Sequence, residues 1–329
     1  MRRTLLVAGL LLVAAPTAAA ADGLPVGNVD VGREGVTVPG AADRIVALRG
    51  RGSTLVERIE TDGGRVQSTL RLKERLTVPG VALDGTADGR SYDGRTVVLI
   101  RPRDGHHGFP LRRTRLVVLG VKPLRVRRRI TLRGDFSFDA LSPDGSRMFV
   151  VNYVDPQDPR KYVVRSYDLE RGRFDRGAIV DAREPDEDMR GYPVTRVTTQ
   201  DGRWAYTLYD GGGEPFVHAL DTRDRKAFCI DLPMLAGMDQ PFDLRLSLSP
   251  GALSVLDGER PVASVDTKTM KASEPAAPRP RQRRAQAPAG GGDGGIDWGL
   301  ALGLGVFAAV ALAASRGFTR RRRRVPSGV

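Results

Sequence analysis

The sequence predicts an all-β fold of about five repeated units, each a four-stranded sheet made from two hairpins. Three observations carry this. Gly-containing turns in "SYDGRTVVLI", "SPDGSRMFVV", "TQDGRWAYTL" and "LSPGALSVLD" recur at Gly94, Gly145, Gly202 and Gly251, at intervals of 51, 57 and 49 residues. The flanking runs alternate, as Phe136, Phe138 and Ala140 do before one turn and Met148 and Val150 after it. A second hairpin follows in each unit, where an apolar run ends in Asp168, Asp221 or Asp266 and a polar turn leads into another run.

In chain order, residues 1–21 read as a secretory signal peptide: Met1-Arg2-Arg3, an apolar run Leu5 to Ala15, Pro16, then small residues to Ala21. The run is too short to span a membrane. Residues 22–272 form the body. Asp-Gly suits its tight turns because glycine accepts positive φ and the aspartate bonds nearby backbone N–H groups, while Pro143 fixes its own φ. "STLVERIETDGGRVQSTL" from residue 53 and "TRLVVLGVKPLRVRRRITL" from residue 114 fill the second hairpin slot with weaker signatures.

These residues resemble the blades of YVTN and WD40-like β-propellers, which pair a Ser-Pro-Asp-Gly turn and a Val-x-Asn-like strand with a later strand ending in Asp-Thr. "LSPDGSRMFVVNY" and "FVHALDTRDRKAF" carry the resemblance, which spans residues 45–272. It implies a β-propeller of about five four-stranded blades. There is no literal Tyr-Val-Thr-Asn and no Trp-Asp dipeptide, and repeat lengths vary. In this reading Asp144, Asp168 and Asp221 are turn and strand-end residues, and the chain before residue 45 pairs with the last blade to close the ring.

Residues 273–297, rich in Pro, Ala, Arg and Gly, lack the apolar content to bury anything and read as a solvated linker. Residues 298–315 carry no charge. As a helix they rise roughly 27 Å, against a hydrocarbon core of about 30 Å, which makes them a transmembrane helix. Arginines Arg316 and Arg320 to Arg324 follow directly, so residues 316–329 read as a basic cytoplasmic tail. The expectation is a single-pass protein of the cell membrane with its N-terminal domain outside. The Gly-rich stretch, apolar span and arginine run also resemble a processed sorting tail, but Leu-Pro-x-Thr-Gly is absent.

Of the formal net charge of +13, the body holds +4, most of the rest lying in the topology signals. That balance argues against a nucleic-acid partner. Cys229 is the only cysteine, which excludes an intramolecular disulfide and argues against a disulfide-linked oligomer; "AFCIDL" reads as a small buried hydrophobe on a strand. His106 and His107 sit in "RDGHHGFP", where neighbouring side chains of extended backbone point opposite ways, and His218 lies in a strand. The acidic loops 155–161 and 181–190 offer oxygens to calcium, but lack the Asp-x-Asp-x-Asp-Gly spacing.

No nucleophile elbow, Walker loop, His-Glu-x-x-His or Cys-x-x-Cys occurs. No catalytic or cofactor-binding residue is therefore assigned, and no metal site is fixed. The reading is a membrane-anchored extracytoplasmic module that binds an envelope or extracellular protein or a small ligand. The alternative is a propeller hydrolase or lactonase with a carboxylate-lined, calcium-assisted channel. Three or more converging carboxylates would favour the enzyme; an aromatic and apolar channel mouth would favour binding.

Overall fold

The computed structural model describes residues 35–103, 110–158, 161–185, 189–238 and 241–275. Five antiparallel sheets follow one another along the chain. Blade I contains β1 (Asp43–Arg49), β2 (Thr54–Glu60) and β3 (Val66–Leu72), with Val36 bridged to Ile45 as a rudimentary first strand. Blade II contains β4 (Thr96–Ile100), β5 (Arg113–Val121) and β6 (Leu124–Arg133). Blade III is β7 (Phe136–Leu141), β8 (Arg147–Tyr153), β9 (Tyr162–Asp168) and β10 (Arg173–Phe174). Blade IV is β11 (Pro193–Thr198), β12 (Trp204–Tyr209), β13 (Phe216–Asp221) and β14 (Lys226–Asp231). Blade V is β15 (Leu244–Ser249), β16 (Ala252–Asp257), β17 (Arg260–Asp266) and β18 (Lys271–Ser273).

Each sheet is a simple meander, and the sheets pack face to face in chain order. Ile45, Ala47 and Val56 of blade I meet Val97, Leu99 and Val117 of blade II. The opposite face of blade II, with Leu116, Val118 and Ile130, meets Phe136, Phe138 and Met148 of blade III. Phe149 and Val164 of blade III meet Ala205 and Leu220 of blade IV, and Val217 and Ala219 of blade IV meet Leu253 and Val255 of blade V. Alternation along the inner strands therefore supplies two apolar faces to every inner blade, so these strands leave water on both faces, while outer strands such as β6 keep exposed residues. The chain is a β-propeller.

No comparable apolar cluster among the described residues joins blade V to blade I. The face of blade V turned away from blade IV carries exposed Arg245, Ser247 and Ser249, and Ser247, Ser254 and Ser264 stand opposite one another in one cross-strand row. The sequence reading paired the chain before residue 45 with the last blade. Its described part instead bridges Ile45 and extends blade I.

Strand direction sorts the connections into a floor and a roof. The floor holds the turn from first to second strand and that from third to fourth. In the first kind, Asp93, Asp144 and Asp201 each accept from the side-chain hydroxyl two residues before and the backbone N–H two residues after. In the second kind, Asp168, Asp221 and Asp266 each accept from the N–H groups two and three residues on. These aspartates cap turns.

The segments read as signal peptide, transmembrane helix and tail, most of the linker, and His106 and His107 lie outside the described residues. No helix among the described residues is long and apolar enough to cross a membrane.

Candidate functional site at the channel mouth

The innermost strand of blade II is interrupted. Thr77 bridges Ile100 and Arg90 bridges Val97, both on β4, while the residues between leave the sheet as a small hairpin closed by Gly80 and Ala87. This insertion crosses to blade IV: Leu83 N donates to Pro193 O at 2.9 Å and Asp84 N to Val194 O at 3.2 Å. Its base is tied to blade I, since Arg90 donates to the carbonyl and carboxylate of Asp43. Arg58 and Lys122 approach the same carboxylate at 3.3 and 3.2 Å. Burial raises the Asp43 pKa, but the surrounding cations win and hold it below the usual carboxylate range.

Beneath the insertion, inner strands III and IV are clasped by charge. Asp139 falls at an irregularity in β7 pairing between Phe138 and Ala140, a device that re-aims side chains. Its carboxylate and its carbonyl both accept from Arg196 of β11, whose Nε donates to Thr207 Oγ1 at 2.8 Å. Arg196 and Asp139 are both buried, and their bidentate arrangement offsets much of the cost of removing two charges from water.

Two titratable groups share this neighbourhood. Asp88, at the foot of the insertion, accepts from Gly89 N. Burial pushes its carboxyl up to about 6, outweighing the pull of Arg196, with Asp139 adding to the rise. His218 is buried on β13 and its Nε2 meets no partner among the described residues. Burial pulls its imidazole down to about 4, against the opposing influence of Asp139.

Strand β7 is buried along its whole length. Above it, the insertion tip presents Leu83 at 49% exposure, and Phe242 at 45% lies in the 3₁₀ turn Pro241–Asp243 that packs against β11. Both therefore adjoin the start of β11, where Tyr192 and Pro193 are half-buried. Leu83, Tyr192, Pro193 and Phe242 thus give this part of the mouth an aromatic and apolar surface, flanked by exposed Asp84 and Asp243.

Of the carboxylates along the inner strands, Asp139 is engaged by Arg196, and Asp135 by Arg103 and by Leu111 N. Among the described residues, no three His, Cys, Asp or Glu side chains converge as metal ligands. In the acidic loops, Asp155 caps its own turn through Gln157 N, and Asp181 is taken by Arg183 and by Cys229 N. Cys229 itself is half-buried on the outer strand β14, beside a small cleft lined by Met189, Glu214, Phe216 and Asp231, which is more open than the core position its sequence implied.

Sequence reasoning singled out none of Asp88, Asp139, Arg196, Leu83 or Phe242. The available signal was length: the stretch between the blade I hairpin and the turn at Gly94 is longer than a first strand needs, and the excess is the insertion.

No family model matches the sequence, and no curated protein matches it. Solved structures do. Hydrazine synthase of Kuenenia stuttgartiensis is 14% identical at a TM-score of 0.42, over 66% of this chain and 66% of that one. TolB of Acinetobacter baumannii is 14% identical at 0.38, over 70% of this chain and 51% of that one. The Swd1 β-propeller domain of Myceliophteria thermophila is 13% identical at 0.38, over 65% of this chain and 60% of that one. This chain thus spans two thirds or less of each of these three proteins. The propeller assignment rests on the five sheets themselves.

Proposed function

We propose that the chain is a binding propeller, displayed outside a membrane, which recognises a protein or small ligand with the roof of blades II, IV and V. The mouth carries this reading. Leu83 and Phe242 stand exposed beside the start of β11, above inner strands that are filled by the chain's own insertion and by the Arg196–Asp139 clasp. Exposed apolar side chains gathered over a rigid frame are what a partner can bury. The signal-like N-terminus, the linker and the uncharged stretch 298–315 support display on a tether.

A photo-crosslinking amino acid at position 83 or 242 should give a discrete adduct in intact cells, and one at position 95 or 268 on the floor should not. Leu83→Asp should abolish the adduct at 242. Equal labelling from roof and floor would refute the reading.

The hydrolytic alternative retains one supporting observation, the Asp88 carboxyl raised to about 6 and only partly buried, since a general base is most effective near the working pH. Turnover of an ester or lactone that Asp88→Asn abolishes, with the fold intact, would establish it.

A further inference from the structure

Charge is distributed unevenly over the body. Residues 101–133 hold ten arginines and one lysine against a single acidic residue, Asp104. That is a net +10 within a body whose total is +4, and averaging over the body conceals it. Most of these residues lie on β5 and β6, the two outer strands of blade II.

Register shows which of them act together. Arg113 stands directly opposite Arg133, Arg115 lies two residues along β5, and Arg129 lies in the same row system opposite Val117. All four share one face of the blade, because side chains alternate and cross-strand partners point the same way. They are exposed. Arg129 is paired with Glu74, whereas Arg113, Arg115 and Arg133 make no ion pair with any described residue.

An arginine directly opposite an arginine destabilises a strand pair, and no carboxylate among the described residues offsets it here. A local rule broken without compensation inside the fold marks a site whose counter-charge comes from outside it. We propose that this face of blade II binds an extended chain of linked phosphates other than nucleic acid. Three features select that partner.

The guanidinium fork matches phosphate oxygens bidentately. The charges run along a narrow line, with roughly 6.8 Å between alternate residues of a strand and about 5 Å across the pair, so they follow a chain and do not spread into the plane a lipid surface presents. Neither β5 nor β6 contains Phe, Tyr or Trp, so the face lacks the aromatic platform on which single-stranded nucleic acid stacks. The surface is separate from the apolar mouth and does not depend on the function proposed for it.

The test uses the full-length chain in detergent, with fluorescein-labelled inorganic polyphosphate as the probe read by anisotropy. Neutralising three to four phosphates should weaken binding roughly twenty- to fifty-fold between 50 and 200 mM salt. Arg113→Gln/Arg115→Gln/Arg133→Gln should bind at least about tenfold more weakly. Arg51→Gln/Arg173→Gln/Arg176→Gln removes the same charge elsewhere and should stay within about twofold of the parent.

Relief of the like-charge pair should leave the first variant's β-type circular dichroism intact and its melting temperature no lower. If it unfolds nonetheless, the single variants Arg113→Gln and Arg133→Gln serve, each expected to weaken binding measurably. Equal losses in the two triple variants, or none in the first, overturn the proposal. Duplex DNA or single-stranded RNA competing as well as polyphosphate would give the face to nucleic acid, arginine-dependent binding to phosphatidylglycerol vesicles alone would give it to a membrane, and either result also overturns it.

Discussion

The floor and the roof of this propeller are made from different kinds of chain. On the floor, blades II, III and IV repeat one solution: an aspartate caps the first turn, a hydroxyl two residues earlier braces it, and a glycine supplies the positive φ. On the roof Asp84, Asp155 and Asp181 also cap turns, but the described loops share no common length or course. Blade II sends a hairpin across the channel, blade V begins with a 3₁₀ turn, and the acidic loops differ in length and pairing. Repetition is what hydrogen-bond satisfaction demands of any tight strand reversal. The loops above it meet the same demand in turns of differing length and course, and such loops are where binding residues concentrate.

The sharpest way to break this contrast is to remove the charge clasp under the roof. Arg196→Met leaves the buried Asp139 carboxylate without its partner and Thr207 without a donor, at a cost of about 3–5 kcal/mol in urea unfolding. Replacing both members, Arg196→Met with Asp139→Leu, should recover a large part of that loss. A single variant that unfolds like the parent would mean that the clasp does not hold inner strands III and IV together.

Glycine substitutions compare floor and roof directly. A Cβ on Gly202, at φ +70°, would lie 2.3 Å from the Tyr92 ring, whereas one on Gly85, at φ +88°, meets nothing within 4 Å. Both substitutions carry the left-handed backbone penalty of about 1–2 kcal/mol, and only the first adds overpacking of about 1–3 kcal/mol. Gly202→Ala should therefore lower the unfolding free energy by about 2–5 kcal/mol and Gly85→Ala by about 1–2 kcal/mol. Equal losses would mean that the floor turn gives way around the new methyl group.

The same contrast explains what the sequence disclosed. The period, the hairpins, the blade count and the capping role of Asp144, Asp168 and Asp221 were legible because successive blades place a tight turn at the same strand end. Blade I carried weaker signatures because its first strand shrinks to the bridge at Val36.

The roof was illegible for a different reason. Leu83 becomes part of a mouth only because its N–H reaches Pro193 O, and Asp139 becomes an inward charge only because the β7 pairing is irregular there. Neither fact has a linear pattern. The arginine face was legible in principle, but its meaning depends on strand register, which places Arg113 opposite Arg133.

The smallest effect expected is a nearly flat acid limb, and its flatness is informative. His218 is held neutral: its folded pKa of about 4 lies below its ordinary 6.5, so the unfolded chain binds a proton first and stability falls as pH drops through that window. Asp88 acts oppositely. Its folded pKa of about 6 lies above its ordinary 3.8, so the folded chain binds the proton first and stability rises as pH falls from about 6 toward 4. The two windows overlap, and both groups feel the same Asp139 and Arg196 charges. Urea midpoints measured between pH 6.5 and 5, above the range in which the carboxylates held low by their partners, such as Asp43 and Asp181, lose their contribution, should therefore change little in the parent. Asp88→Asn removes the rise and exposes the His218 loss, giving a protein that weakens steadily over that range. His218→Phe removes the loss, so that variant should gain stability as pH falls toward 5. A parent that already loses stability as steeply as Asp88→Asn would show that the Asp88 carboxyl titrates at its ordinary pKa, and the hydrolytic reading would lose the observation that supports it.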